Sequence, residues 1–489
     1  MSLINISNLT FAYDGSYDNI FDNVSFQIDT DWKLGFTGRN GKGKTTFLNL
    51  LMGKHEYRGK ISSNVSFQYF PHTVTDNTKT TGSIIEEISP SHQEWELLRE
   101  LSLLSVDDDV LTRPFETLSN GERTKIMLAS LFLGDNNFLL IDEPTNHLDA
   151  DGRSIVSHYL NGKSGFILVS HDRAFLDGCV NHILSINRAN IEVQRGNFSS
   201  WLSNKERQDN FELAENEKLK KDIKRLEKAA RQSSGWADKV ESTKIGMGIA
   251  DRAYIGEKSR RMQQRRKNLE RRQQSSIEEK SELLKNVESL ESLKITQLAY
   301  HKPQYLSLND AGIYYGDKNV CAGISFTVER GDRIALHGKN GSGKSSLLKL
   351  ICGEEITHTG EIAIGSGLQV SYVSQDTSFL RGDLADYARQ NGIDESLFKA
   401  ILRKLDFSRV QFEKDMRDFS GGQKKKVLIA KSLCEKAHLL IWDEPLNFID
   451  VLSRMQIEKL LLQYEPTIIF VEHDSVFVKK IATKDVEFG

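Results

Sequence analysis

The sequence predicts an α/β protein in which two P-loop units of one design are joined by a long antiparallel α-helical hairpin. Three observations carry that prediction. The phosphate-cradling pattern G-x-x-x-x-G-K-[ST] occurs at 38–45 and again at 338–345. After each loop, apolar β-rich runs alternate with helical patterns, as in a largely parallel sheet. Landmarks recur at an offset of about 300 residues: Lys44 with Lys344, Ser119 with Ser420, Asp142 with Asp443, His171 with His473. A chain of 489 residues is too long for one core. The repeat divides it into units at 1–200 and 298–489, with a linker at 201–297.

Each loop follows a strand-like run, Lys33–Thr37 or Arg333–His337, and opens an amphipathic helix at 46–52 or 346–352. Around Asn40, the glycines Gly38, Gly41 and Gly43 let backbone N–H groups turn inward about a polyphosphate. Gly338, Asn340, Gly341 and Gly343 repeat the arrangement. Lys44 or Lys344 reaches the terminal phosphates, and Thr45 or Ser345 can ligate Mg²⁺. Thr46 and Ser346 lie at the helix N-terminus, whose positive end favours anions.

Downstream, an apolar strand ends in Asp142-Glu143 and again in Asp443-Glu444, 98 and 99 residues after the loop lysines. A carboxylate at the end of a buried strand beside a phosphate loop is placed to hold Mg²⁺, and the next one to polarise a water. Alone, either pair would read as an acidic strand cap. Before these strands lie Leu118-Ser119-Asn120-Gly121-Glu122 and Phe419-Ser420-Gly421-Gly422-Gln423. There a serine caps a helix and glycines bare its N–H groups for a second phosphate contact. Further strands, 165–169 and 467–471, close on Ser170-His171-Asp172 and Glu472-His473-Asp474. A histidine there can hydrogen-bond a γ-phosphate or a water.

Between the copies Leu219, Ile223, Leu226 and Ala230 form a narrow helical seam, and Leu283, Val287 and Leu290 repeat the spacing. Gly235, Gly246, Gly248 and Gly256 punctuate it, so the hairpin tip is expected at 233–257. A helix of about 28 residues would span roughly 40 Å. Residues 218–274 carry 18 Lys/Arg against 7 Asp/Glu, whereas the whole chain is at −3. Acidic residues are too few to pair the basic ones, which favours a polyanion such as RNA over a solvated helix face. Four scattered cysteines without a C-x-x-C pair suggest reduced thiols in a cytoplasm. No long uncharged apolar run or basic-then-apolar leader is visible, so neither a membrane span nor export by a signal of its own is expected.

The order of phosphate loop, Ser-Gly signature, Asp-Glu strand, Asp149 or Asp450 loop and switch histidine resembles the ATP-binding-cassette (ABC) ATPases. Tandem cassettes joined by a charged helical hairpin resemble their F subfamily of ribosome-binding proteins. The resemblance covers nearly the whole chain and implies ATP and Mg²⁺ as ligands, with two cassettes closing face to face. One site would join Lys44, Asp142 and Glu143 to Ser420, Gly421 and Gly422. The other would join Lys344, Asp443 and Glu444 to Ser119, Asn120 and Gly121. Tyr13 and Tyr315 match the adenine-stacking aromatics, and Gln375 the glutamine that touches Mg²⁺ or water. It also implies catalytic roles for Glu143, Glu444, His171 and His473.

Departures exist. His72 stands where copy one should have the glutamine, and Asn120 replaces a signature glycine. Leu446-Asn447-Phe448-Ile449-Asp450 departs from the Thr145-Asn146-His147-Leu148-Asp149 of copy one, so unequal hydrolysis is expected. About 46 residues separate His72 from Leu118 and 45 separate Gln375 from Ser420, leaving no room for a large arm. Sixteen residues follow His473, so no C-terminal extension is expected either. The linker is thus the one elaborated part, and that, with the Leu446-Asn447-Phe448-Ile449-Asp450 and Glu472-His473-Asp474 variants of copy two, resembles the antibiotic-resistance members of the Vga/Lsa type. That implies a monomer on the bacterial 70S ribosome, at the tRNA exit site, its hairpin meeting rRNA and P-site tRNA and displacing peptidyl-transferase drugs. Two rivals are a housekeeping translation factor of the same family and the energising subunit of a membrane exporter.

Overall fold

The computed structural model describes residues 2–13, 19–90, 92–134, 137–146, 148–186, 191–242, 293–295, 297–316 and 318–488. In copy one the central sheet has six strands, in the order Ser66–Phe70, Asn137–Asp142, Phe166–Val169, Lys33–Thr37, His182–Ile186, Ile191–Arg195. All neighbours are parallel except the last pair. Copy two repeats the first five positions with Val370–Val373, Leu439–Asp443, Ile468–Val471, Arg333–His337 and Lys484–Glu487, all parallel. The inner strands read as continuous apolar runs because both faces are covered, whereas edge strands such as Lys484–Glu487 stay polar. Phe166 to Val169 and Leu439 to Trp442 are each at most 1% exposed.

Each copy adds a three-stranded antiparallel sheet, Phe21–Asp29, Leu3–Phe11 and Arg58–Ser62 in the first, Lys318–Glu329, Gln304–Tyr315 and His358–Ile364 in the second. Its inward residues (Ile4, Ile6, Leu9, Phe11, Val24, Ile28) share one core with the phosphate-loop helix through Phe47 and Leu48. The helices Lys44–Leu51 and Lys344–Ile351 therefore start where the two sheets meet, which fixes the loops ahead of them. Gly43 is obligatory: its φ is 96° and a Cβ would lie 2.5 Å from Ile20 Cγ2.

Residues 1–201 and 290–489 form one compact unit, and residues 202–289 another. The helix Phe198–Ser242 runs for 45 residues, all but its first four in the second unit. It passes through Gly235, so the turn expected from 233 does not begin before residue 243. Good helix formers flank this glycine (Ala229, Ala230, Arg231, Gln232, Ala237, Lys239), and together they outweigh its penalty of about 1 kcal/mol. The rest of the predicted tip and the returning helix, with its arginine cluster, lie outside the described residues. No helix among the described residues is long and apolar enough to cross a membrane.

Candidate functional site

The phosphate loops wrap their own lysines. Lys44 Nζ donates to Gly38 O at 2.8 Å, Arg39 O at 3.2 Å and Asn40 Oδ1 at 3.2 Å, and Lys344 Nζ to Gly338 O and Lys339 O, both at 2.8 Å. Both side chains are buried, and burial lowers both amines' pKa against the pull of the neighbouring carboxylates. Such a lysine is a desolvated cation bonded only to neutral oxygens, with carboxylates acting on it from farther off, a condition that an entering polyphosphate relieves.

Thr45 Oγ1 donates to Asp142 Oδ2 at 3.0 Å, and the Tyr69 hydroxyl donates to the same oxygen at 3.0 Å. Burial raises the pKa of both Asp142 and Asp443. Asp443 is 1% exposed, and neither of its oxygens has a hydrogen-bond partner of good geometry, although the Ser345 hydroxyl is close enough to favour its ionised form. Among the described residues no cluster of three or more His, Cys, Asp or Glu makes a ready cage for a metal. A hydroxyl beside one orphaned buried carboxylate instead fits Mg²⁺, which keeps waters and phosphate oxygens among its ligands.

Glu143 and Glu444 follow these aspartates in left-handed backbone, with φ of 52° and 46°. The twist at the strand end keeps each backbone N–H on the neighbouring strand (Val169 O at 2.9 Å, Val471 O at 3.0 Å) while re-aiming the side chain. His171 Nε2 lies 3.2 Å from Glu143 Oε1, and His473 Nε2 lies 3.5 Å from Glu444 Oε1. The surroundings then diverge. Gln375 Nε2 donates to Glu444 Oε2 at 2.9 Å, and Asn447 Nδ2 bonds the same oxygen. Burial acts to raise Glu444, but His473, Lys425 and Gln375 more than offset it and hold the carboxyl below its ordinary range. Glu143 is pushed up to about 8 by burial and by Asp142, against the pull of Lys44 and Arg454. His171 lies well below its usual value through burial and the charges of Lys44 and Arg454. His72 is exposed, and no bond from it to Glu143 takes the place of the Gln375 contact.

The loops of each copy face the signature of the other. A cavity of about 980 Å³ is lined by 339–346, Gln375, Glu444 and His473 from copy two, and by Ser119, Asn120, Gly121 and Asp149 from copy one. Its volume is at the upper end of the roughly 300–1,000 Å³ of small-molecule sites. On the other side, Asn40 Nδ2 donates to Phe448 O at 2.8 Å, and a Cβ on Gly422 would lie 3.1 Å from that nitrogen. The signature serines cap their helices reciprocally: Ser119 N donates to Glu122 Oε2 at 2.7 Å, Ser420 N to Gln423 Oε1 at 2.9 Å. The side chain of Asn120 lies exposed at the cavity. Tyr13 and Tyr315 are 45% and 52% exposed, their hydroxyls bonded to Thr46 Oγ1 at 2.9 Å and Ser346 Oγ at 3.2 Å. Both rings thus stand beside the phosphate helices and partly in solvent, that of Tyr13 also packed against Phe11 and His55 at 5.1 and 5.7 Å between ring centres.

A model of the ABC transporter family matches residues 21–146 and 321–447. The chain belongs to the ABC transporter family. Relatives place it in the F branch of ABC ATPases, and as such it is an ATP hydrolase. The ATP-binding protein Uup of Buchnera aphidicola is 30% identical over 99% of this chain and 80% of its own length. YdiF of Bacillus subtilis, an ATP-binding protein, is 29% identical over 100% and 80%. The ribosome protection protein VmlR of Bacillus subtilis is 27% identical over 98% and 85%. Among solved structures, the archaeal ribosome recycling factor aABCE1 superposes with a TM-score of 0.66 at 17% identity, over 99% of this chain and 87% of that one, and so shares the ABC fold.

Sequence reasoning about this ABC-F chain missed the buried charges. Lys424-Lys425-Lys426 reads as a solvated run, yet Lys425 and Lys426 are 2% and 4% exposed. Lys425 Nζ donates to Ser374 O at 2.9 Å and Asp443 O at 3.2 Å, and Lys426 pairs with Asp450 at 2.8 Å. The apolar residues Val427 to Ala430 that follow them were the available signal of a helix buried on more than one face.

Proposed function

We propose that this ABC-F ATPase binds the bacterial 70S ribosome at the tRNA exit site. There it protects the ribosome from peptidyl-transferase antibiotics of the lincosamide, pleuromutilin and streptogramin A classes, as Vga/Lsa-type proteins do. The observation that carries the reading is the cross-cassette cavity. A polyphosphate held by 339–346 would also touch Ser119 and Gly121, so nucleotide favours the closed cassette pair over any open one. A binding free energy that differs between two arrangements is what a nucleotide-controlled ribosome ligand requires.

Glu143 and Glu444 are the proposed bases toward water, with His171 and His473 beside them. Tyr13 and Tyr315 offer ring faces to adenine. Thr45 with Asp142, and Ser345 with Asp443 and Gln375, would hold Mg²⁺, which neutralises phosphate charge when bound. The basic 218–274 segment would supply backbone affinity for rRNA and P-site tRNA without sequence readout. The relative VmlR, a ribosome protection protein, supports the resistance reading. A cytoplasmic monomer with intramolecular pairing of cassettes follows from it.

The deciding experiment is translation in vitro under lincosamide or pleuromutilin, with and without the purified protein. Protection raises the inhibitory dose; an unchanged dose sinks the resistance role. Identity to YdiF and Uup, whose names give ATP binding and no protective role, is as high as that to VmlR, which leaves room for a second reading, a housekeeping ABC-F translation factor. That reading predicts co-sedimentation with 70S particles and no change in drug sensitivity.

A further inference from the structure

The two composite sites are not held equally. In the first, Arg39 of the copy-one phosphate loop forms an ion pair of 3.0 Å with Asp406 of copy two, the side chains 10% and 25% exposed. Asp406 sits in left-handed backbone (φ 70°) on the loop that follows the helix Glu395–Lys404. Carrying the repeat offset over, its counterpart in copy one is Ser105, also left-handed (φ 53°), and the counterpart of Arg39 is Lys339. Ser105 and Lys339 both line the 980 Å³ cavity; Asp107 and Asp109 line it too, but among the described residues no ion pair joins Lys339 to copy one as Arg39 is joined to copy two. The same exchange is repeated nearer the switch histidines. Arg173, two residues after His171, pairs with Glu458 and with Asp474 (3.4 Å) of copy two in full burial. The counterparts of Arg173 and Glu458 are Ser475 and Ser157, which line a separate cleft of about 430 Å³.

We propose that Arg39 and Asp406 are a positioning pair that clamps the Lys44 phosphate loop against the copy-two signature, so that this site retains its nucleotide while the Lys344 site exchanges. A partly buried ion pair across the cassette interface must be broken before the first site opens, and breaking one removes a partner from a desolvated charge. The second site lacks both pairs and opens without that step. The cassettes thus hinge about the first site. This rests on the paired-site chemistry of an ABC ATPase and holds with or without a ribosomal partner.

The test uses the full chain loaded with a radiolabelled non-hydrolysable ATP analogue and Mg²⁺, then chased with unlabelled nucleotide. Wild type should release label in two phases, one nucleotide per chain at least tenfold slower than the other. Asp406→Ser should abolish the slow phase and Asp406→Glu should restore it. Ser105→Asp, which builds the missing partner for Lys339 at a backbone position that aspartate tolerates, should slow the fast phase toward the slow one. A single phase in wild type, a slow phase that survives Asp406→Ser, or a fast phase indifferent to Ser105→Asp overturns the proposal. A chain that retains no analogue in any variant overturns the paired-site reading with it.

Discussion

At the residue scale the two sites share a design and differ in electrostatic setting. Each glutamate sits at a twisted strand end with a histidine beside it, but only Glu444 is held by a glutamine and an asparagine. It is ionised well below neutral pH, whereas burial and Asp142 keep Glu143 near 8. Replacing both by glutamine should reduce ATP turnover at least about 100-fold, the lower end of general-base contributions, as read by phosphate release. Of the single variants, Glu444→Gln should be the more damaging at neutral pH, because its carboxylate is already charged. Equal losses would show that nucleotide binding erases the difference.

At the scale of elements, the signature helices depend on close backbone approach. A Cβ on Gly422 would stand 2.3 Å from Phe448 O, whereas one on Gly421 would meet only the Phe448 ring, at 3.3 Å. A carbonyl fixed by Asn40 cannot retreat as a ring edge can, so Gly422→Ala should weaken nucleotide-dependent closure far more than Gly421→Ala. Nucleotide affinity by equilibrium dialysis separates them. Ser119→Ala and Ser420→Ala remove helix caps and should each cost about 1 kcal/mol in denaturant unfolding. The antiparallel sheets were legible only in part. Ile4, Ile6, Leu9 and Phe11 nearly alternate, but pairing with Arg58–Ser62 spans the whole phosphate-loop helix and leaves no local trace. Gly235 misled in the opposite sense, since a lone glycine is a weak stop when its neighbours all favour helix.

For the whole molecule, the interface rests on buried charge. Asp474 is fully buried and accepts from Arg454 at 3.2 Å and Arg173 at 3.4 Å. Burial would raise its carboxyl, but the two guanidiniums, with the Phe477 N–H, hold it below the ordinary aspartate range. With the folded pKa below the unfolded one, its stabilisation is complete above about pH 4 and is lost as pH falls through the folded value. Asp474→Asn should therefore lower thermal stability at pH 7, by about 3–5 kcal/mol for a broken buried pair, and flatten the acid limb of the stability curve. Calorimetry between pH 3 and 7 reads both effects. Shortening the linker between residues 243 and 256 should leave ribosome co-sedimentation largely intact while drug protection fails. The reverse result would make the tip an anchor.

The sequence by itself determined the family and its two-cassette layout. Loop, signature, carboxylate pair and histidine are each short stretches whose proposed roles follow from local backbone and side-chain type, and duplication sets each of them twice at one offset. What faces what was decided only by tertiary structure. Arg39 meets Asp406, Arg173 meets Glu458 and Asn40 meets Phe448 across hundreds of residues. Those partners were chosen by how two cassettes pack, a property that no local pattern encodes.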